Sequence, residues 1–172
     1  MHHYQPRGWQ RLVQRIAAIR PVTKFFSLHL AWIDRQIIKW SKGKSSLTSV
    51  LTGFPIVTLR TIGAKSGQDR YSPLVGIPLD GKYILIASNW GQLHHPSWYY
   101  NLRAHPEAQL LIGGETHEYV AHEATGEERE AYWQRALEIY AGYDAYKQRA
   151  GDRLIPVMVL TPKSGGGESH AW

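Results

Sequence analysis

From residue 56 onward, apolar positions come in short runs broken by glycine and proline, whereas within the first forty residues they recur every three or four. The runs 56–61, 70–78, 82–88, 108–113, 116–124 and 154–161 have strand length and are rich in β-branched and aromatic side chains. Asp80-Gly81 and Gly113-Gly114 each lie between two such runs, the composition of a tight hairpin turn. Hairpin-linked strands of this kind predict an antiparallel sheet or barrel rather than alternating βαβ units.

Helical signals interrupt the strands. Pro96-Ser97-Trp98-Tyr99-Tyr100-Asn101-Leu102-Arg103 has proline at its first turn and ends at His105-Pro106. The segment from Thr125 to Tyr140 opens with a threonine N-cap and Glu128 three residues on, a capping-box spacing. A further short helix is expected over about 142–150. The fold class is therefore mainly β with helices (α+β).

The N-terminal 1–45 reads as a basic amphipathic helical arm. Trp9, Leu12, Val13 and Ile16 share one face, with Arg7, Arg11 and Arg15 opposite. Pro21 interrupts, and Phe26, Leu30, Ile33, Ile37 and Trp40 then form a second apolar stripe. Core packing explains the stripe at 24–40, and peripheral contact with an anionic membrane is open for the arm across 7–40. Residues 46–163 form the expected barrel domain, and 164–172 a flexible glycine-rich tail.

Charge sharpens this division. Residues 1–50 hold nine Lys/Arg and one acid, a net +8. The other 122 residues hold eleven Lys/Arg and thirteen acids, a net −2. A nucleic-acid surface needs its basic residues spread over the docking face, so nucleic acid is not an expected partner. Cysteine is absent, excluding disulfides, thiolate metal sites and a cysteine nucleophile. With no signal-peptide pattern and no uninterrupted apolar span, a cytoplasmic protein is expected, with the arm as the element for contact at the inner face of the membrane. The nine histidines have no metal-ligand spacing, and no Gly-x-Ser-x-Gly or His-Glu-x-x-His occurs, so no metal site is expected.

Candidate chemistry concentrates in Gly63-Ala-Lys65-Ser66-Gly67-Gln68-Asp69-Arg70, between two strand-like runs. Its glycines permit close backbone approach, and its cations and turn amides suit an anion such as phosphate. An ordinary solvated hairpin turn has the same composition. The loop is not a Walker motif, which needs Gly-Lys-Ser/Thr.

In register with this loop come Ser72-Pro73-Leu74, Ala87-Ser88, Pro96-Ser97-Trp98-Tyr99-Tyr100-Asn101-Leu102 and the tyrosines Tyr140, Tyr143 and Tyr146. The ensemble, from about 50 to 162, closely resembles the deazaflavin (coenzyme F420)-dependent nitroreductase family. The resemblance implies a split β-barrel of the FMN-binding type. It implies an oxidoreductase that transfers a hydride from reduced coenzyme F420 to a lipophilic organic acceptor such as a quinone or nitro compound. By that likeness Thr61, Gly63, Lys65, Ser66, Gln68 and Arg70 would hold the cofactor's phosphate and the start of its polyglutamate tail. Ser72, Pro73, Leu74, Ala87, Ser88 and Asn89 would line the ring, with Pro96, Ser97, Trp98 and Tyr99 presenting a helix start to it.

Ser88 and Tyr143 are the candidate catalytic residues, and Val75, Tyr140, Tyr143 and Tyr146 the candidate substrate contacts. Core packing competes for Trp98, Tyr99 and the tyrosine stripe. Asn89-Trp90 stands where relatives often carry Lys-Gly, and Val75 where some carry tyrosine. Two other readings use the same barrel: an FMN-dependent oxidoreductase, and a non-catalytic barrel that binds fatty acids or other lipids.

Overall fold

The computed structural model describes residues 55–163. The expected arm at 1–45 and the tail at 164–172 lie outside them. Seven antiparallel strands form one sheet: β1 (Ile56–Ile62), β2 (Asp69–Val75), β3 (Ile77–Leu79), β4 (Lys82–Ile86), β5 (Glu107–Ile112), β6 (Glu115–Glu123) and β7 (Val157–Pro162). Three α-helices join them: α1 (Ser97–Ala104), α2 (Gly126–Ile139) and α3 (Gly142–Ala150).

Both glycine hairpins form. Leu79 pairs with Lys82 across Asp80-Gly81, and Ile112 with Glu115 across Gly113-Gly114. All four turn residues have positive φ, as the primed turns that match strand twist require.

The strand order is β2-β1-β5-β6-β7-β4-β3. The expected single run 70–78 is thus two strands at opposite edges of the sheet, separated by Gly76 alone. One residue cannot bridge a flat seven-stranded sheet, whose neighbouring strands lie about 4.8 Å apart. The sheet therefore curls until its edges meet, giving the split barrel. Gly76 occupies the corner because a Cβ there would lie 2.7 and 2.9 Å from the two methyls of Val57.

Alternation along β4 and β7 shows how the barrel is filled. Leu85, Ala87, Met158 and Leu160 face inward with Val57, Leu59, Ala108, Leu110, Tyr119 and Ala121, where Trp98 and Leu102 of α1 join them. Ile84, Ile86, Val157 and Val159 face outward, against Trp133, Ala136 and Ile139 of α2 and Tyr143, Tyr146 and Ala150 of α3. Both faces of these strands are covered, which is why their sequences read as unbroken apolar runs. Leu59, Leu85, Leu110 and Leu160 are fully buried, each burial contributing roughly 1.5–3 kcal/mol. The inward side chains pack together as one apolar cluster.

Three local expectations need correction. Strand 154–161 begins only at Val157, and Leu154 is exposed. Pro96 is the N-cap of α1 in extended conformation, with Ser97 the first helical residue. Thr125 is the N-cap of α2, but its side chain makes no capping hydrogen bond. Glu128 instead meets His122 of β6, at 3.1 Å from Nε2. A hydrogen-bond partner at the end of β6, six residues back, displaces the local box.

Candidate functional site

The loop between β1 and β2 is a closed, preorganised turn. The Gly63 amide donates to the Gln68 carbonyl and the Gly67 amide to the Gly63 carbonyl, both at 2.8 Å. Gly67 has φ +64°, so the turn needs its freedom. A Cβ on Gly63 would lie 2.6 Å from Ser66 Oγ and 3.2 Å from the Gln68 carbonyl. Arg70 Nη2 donates to Ser66 Oγ at 3.1 Å, and the Gln68 amide approaches the same oxygen at 3.4 Å. With its lone pairs occupied, Ser66 has its own proton to offer outward.

The electrostatics favour an anion. Both carboxylate oxygens of Asp69, next to Arg70, accept from Arg60 Nη2 at 2.8 and 2.9 Å, while Arg60 Nη1 donates to Gln109 at 2.7 Å. That pairing answers the acid within the strands. Lys65 and Arg70 are exposed, and neither forms an ion pair with a described residue. A turn with two unneutralised cations, a hydroxyl donor and free space around it can hold a group with several anionic oxygens.

Asn101 fixes this loop to α1. Its Nδ2 donates to Thr61 Oγ1 and its Oδ1 accepts from the Ala64 amide, both at 3.0 Å. Thr61 is buried, so its hydroxyl is committed to this bond. Asparagine inside a short helix carries no signal in the sequence beyond a polar position, and its role emerges only from the fold.

A second wall stands at the end of β4. Leu74 packs on the same inner cluster as Ala87 and Trp98, so β2, β4 and α1 converge there. Ser72, Pro73, Leu74 and Val75 are half-buried along β2. Ser88 is mostly buried, and its hydroxyl makes no hydrogen bond with a described residue. After it the chain turns left-handed at Asn89 (φ +48°), Trp90 (φ +59°) and Gly91 (φ +77°). Left-handed backbone costs about 1–2 kcal/mol at each non-glycine residue, so Asn89 and Trp90 are held there by their surroundings.

Arg153 supplies much of that hold. Its guanidinium donates to the carbonyls of Gln92 (2.8 Å), Ser88 (2.7 Å) and Ala87 (3.3 Å), and meets His95 Nδ1 at 2.9 Å. This arginine sits in the link between α3 and β7, where sequence reading sees only a surface cation.

The α1 start is more deeply packed than a ligand-facing reading of it needs. Trp98 and Tyr99 are 5% exposed, while Ser97 is open and Pro96 half-buried. The Tyr99 hydroxyl donates to Glu123 at 2.9 Å and accepts from Arg103 at 3.3 Å. Burial, with Glu123 adding to it, raises the Tyr99 phenol above its ordinary range.

The tyrosine stripe is likewise interior: Tyr140, Tyr143 and Tyr146 are all buried, and their rings meet edge-on at 5.3–6.1 Å. Tyr140 and Tyr146 share a hydroxyl–hydroxyl hydrogen bond of 3.1 Å. Burial pushes the phenols of Tyr143 and Tyr146 up. Trp90 packs edge-on against Tyr146 at 6.1 Å and is 36% exposed, which joins the stripe to the second wall.

A model of the F420H(2)-dependent quinone reductase family matches residues 33–162. The chain belongs to this family. Relatives agree with the match. The F420H(2)-dependent quinone reductase Rv1261c of Mycobacterium tuberculosis is 33% identical over 110 residues, 62% of this chain and 73% of that protein. Among solved structures, an F420-H2-dependent reductase (FDR-A) is 44% identical with a TM-score of 0.57, covering 62% of this chain and 93% of the other. Another, described as a domain-swapped dimer, is 38% identical with a TM-score of 0.59, covering 75% and 96%. As a member of this F420H2-dependent quinone reductase family, the protein is an oxidoreductase with coenzyme F420 as its cofactor, which displaces FMN as the candidate. Among the described residues no three His, Asp or Glu side chains gather as a metal site, and no helix is long and apolar enough to cross a membrane.

Proposed function

We propose that this reductase delivers the hydride of reduced F420 to a lipophilic quinone, with activated nitro compounds as a second acceptor class. Lys65, Ser66, Gln68 and Arg70 hold the phosphate and the first glutamates, and Gly63 lets the backbone come close. Thr61 serves the same loop indirectly, through Asn101. The ring lies along Ser72, Pro73, Leu74, Ala87, Ser88 and Asn89, beside the helix start at Pro96, Ser97, Trp98 and Tyr99. The observation that carries this reading is the cationic loop bonded to α1 through Asn101, while Trp98 of that helix packs with Ala87 and Leu74.

When bound, the reduced deazaflavin supplies the hydride. The protein's part is positioning and exclusion of water, which govern the rate when donor and acceptor must be close and aligned. Ser88, whose hydroxyl makes no bond to a described residue, is placed to donate a hydrogen bond to the reduced acceptor. Val75 and the Trp90–Tyr146 edge offer apolar and aromatic surface for a planar quinone. Tyr140 and Tyr143 back that surface from the core, so Tyr143 acts by shaping the pocket.

Fluorescence titration with F420 and turnover of F420H2 with menadione test the proposal. Lys65→Ala/Arg70→Ala should weaken cofactor binding by about ten- to a hundredfold at low salt, with the loss shrinking as salt rises. Unchanged affinity would refute the loop assignment. We also infer, from its sequence, that the basic arm at 7–40 contacts anionic lipid. Co-sedimentation with phosphatidylglycerol vesicles checks this, and equal recovery with neutral vesicles would exclude it.

A further inference from the structure

We infer that Arg153 is a positioning residue for the reaction: its guanidinium holds the 88–91 turn, and with it the Ser88 hydroxyl, in the geometry that faces the ring. The inference rests on the placement of the ring along Ala87–Asn89 proposed above.

Three guanidinium nitrogens reach four acceptors spread over Ala87, Ser88, Gln92 and His95, on both sides of the turn. Bonds from a charged donor to carbonyls are among the stronger kinds, and the planar fork fixes their relative directions. The turn needs such a clamp, because two non-glycine residues in succession have positive φ. Other restraints act beside it: the Gly91 amide donates to the Ser88 carbonyl at 2.9 Å, and the Ala87 and Ser88 amides donate to the Pro156 and Ile86 carbonyls at 2.9 and 2.8 Å. Asn89 Nδ2 donates to the His94 carbonyl at 3.0 Å. Gly91 packs so closely on α3 that a Cβ would lie 2.8 Å from Arg149 Cβ and 2.9 Å from the Tyr146 carbonyl. Those backbone bonds act within the turn or on its amides, whereas Arg153 is the described side chain that bonds both the Ala87 and Ser88 carbonyls and ties them to Gln92 and His95 beyond the turn. Lysine has one nitrogen and cannot span both sides.

The clamp includes a titratable acceptor. Since the guanidinium donates, His95 Nδ1 must be unprotonated, which makes the ring neutral with its proton on Nε2. Arg153, Arg103, Glu123 and His94 act on His95 electrostatically, and the rings of Tyr99 and Tyr100 pack against it. Burial first, then Arg153, lowers the imidazole below its ordinary 6.5. Protonation at acid pH removes that acceptor and places a cation against Arg153, so the turn loosens as pH falls below the ordinary imidazole range.

The test uses the full chain with F420H2 and menadione. Arg153→Lys should lower kcat at saturating cofactor about ten- to a hundredfold while the cofactor Kd stays within about threefold. Amide hydrogen exchange at 88–92 should quicken at least about tenfold, with β5 and β6 amides unchanged. His95→Asn keeps an oxygen at the Nδ1 position that cannot be protonated, and should flatten the acid limb of the kcat profile. Retention of kcat within about twofold in Arg153→Lys, or unaltered exchange at 88–92, overturns the inference. So does an acid limb that persists in His95→Asn, a result that needs no Arg153 variant to fold. If Lys65→Ala/Arg70→Ala leaves Kd unchanged, the cofactor placement fails instead, and the exchange data still judge the clamp.

Discussion

Removing the Asn101 side chain should uncouple the anion loop from α1, and the geometry gives the size of the effect. Asn101→Ala deletes two hydrogen bonds of 3.0 Å, one to Thr61 Oγ1 and one from the Ala64 amide. Ala64 is exposed, so water replaces its partner and the loss there is about 1 kcal/mol. Thr61 is 2% exposed, so its hydroxyl stays unpaired in the interior at a cost of about 1–3 kcal/mol. The sum, about 3 kcal/mol, corresponds to a fall in Tm of about 6–12 °C for a chain of this size. Urea denaturation of Asn101→Ala, Thr61→Val and the double variant isolates the pair. The double should be less destabilised than the two singles added, by about 1 kcal/mol or more, because a valine in place of Thr61 leaves no orphaned hydroxyl. F420 affinity should fall in Asn101→Ala, since the loop no longer has a fixed position. Strict additivity, or an Asn101→Ala variant with unchanged midpoint and affinity, would refute the reasoning.

Other predictions follow from single contacts. Gly76→Ala should destabilise the protein by about 1–3 kcal/mol, because the new methyl meets both methyls of Val57. Adding Val57→Ala should recover part of that loss in calorimetry, and no recovery would mean that the corner is strained elsewhere. Gly63→Ala should weaken F420 binding more than it lowers Tm, since its Cβ displaces Ser66 Oγ in an exposed loop. Burial raises the phenols of Tyr83, Tyr119, Tyr140, Tyr143 and Tyr146. The folded state therefore keeps protons that the unfolded chain releases, so this stability is complete below about pH 10 and fades as pH rises further. Circular dichroism and ultraviolet phenolate absorbance should then change together in alkali. Ionisation of these tyrosines well before unfolding would contradict their burial.

Some of this was legible in the residues and some was not, for physical reasons. Hairpins at Asp80-Gly81 and Gly113-Gly114 announce themselves, because few residue pairs accept positive φ twice in succession. The turn at 63–70 is legible through Gly67, which takes positive φ there. The division of 70–78 into β2 and β3 is hidden, since strand propensity is local while the exchange of sheet edges at Gly76 depends on closure of the whole barrel. Glu128 is misread as a capping partner because its partner, His122, sits at the end of β6, and the angle of the strand-to-helix turn that joins them is not written in the spacing. Asn101 and Arg153 act on segments 37 and 65 residues away, and composition holds no trace of such distances. The tyrosine stripe shows the converse: its spacing is plain, but its burial is decided by the helix–sheet contact.

β7 has its own consequence for biosynthesis. It is the last described strand to leave the ribosome, yet it inserts between β6 and β4 and joins two half-sheets that otherwise have no shared ladder. The wall at Ala87 and Ser88 depends on the same late segment, through Pro156 and Arg153. A nascent chain halted before residue 153 thus carries the β1–β2 hairpin but lacks the tether for the Ala87–Ser88 wall, so the proposed cofactor site should become complete in one step, near the end of translation.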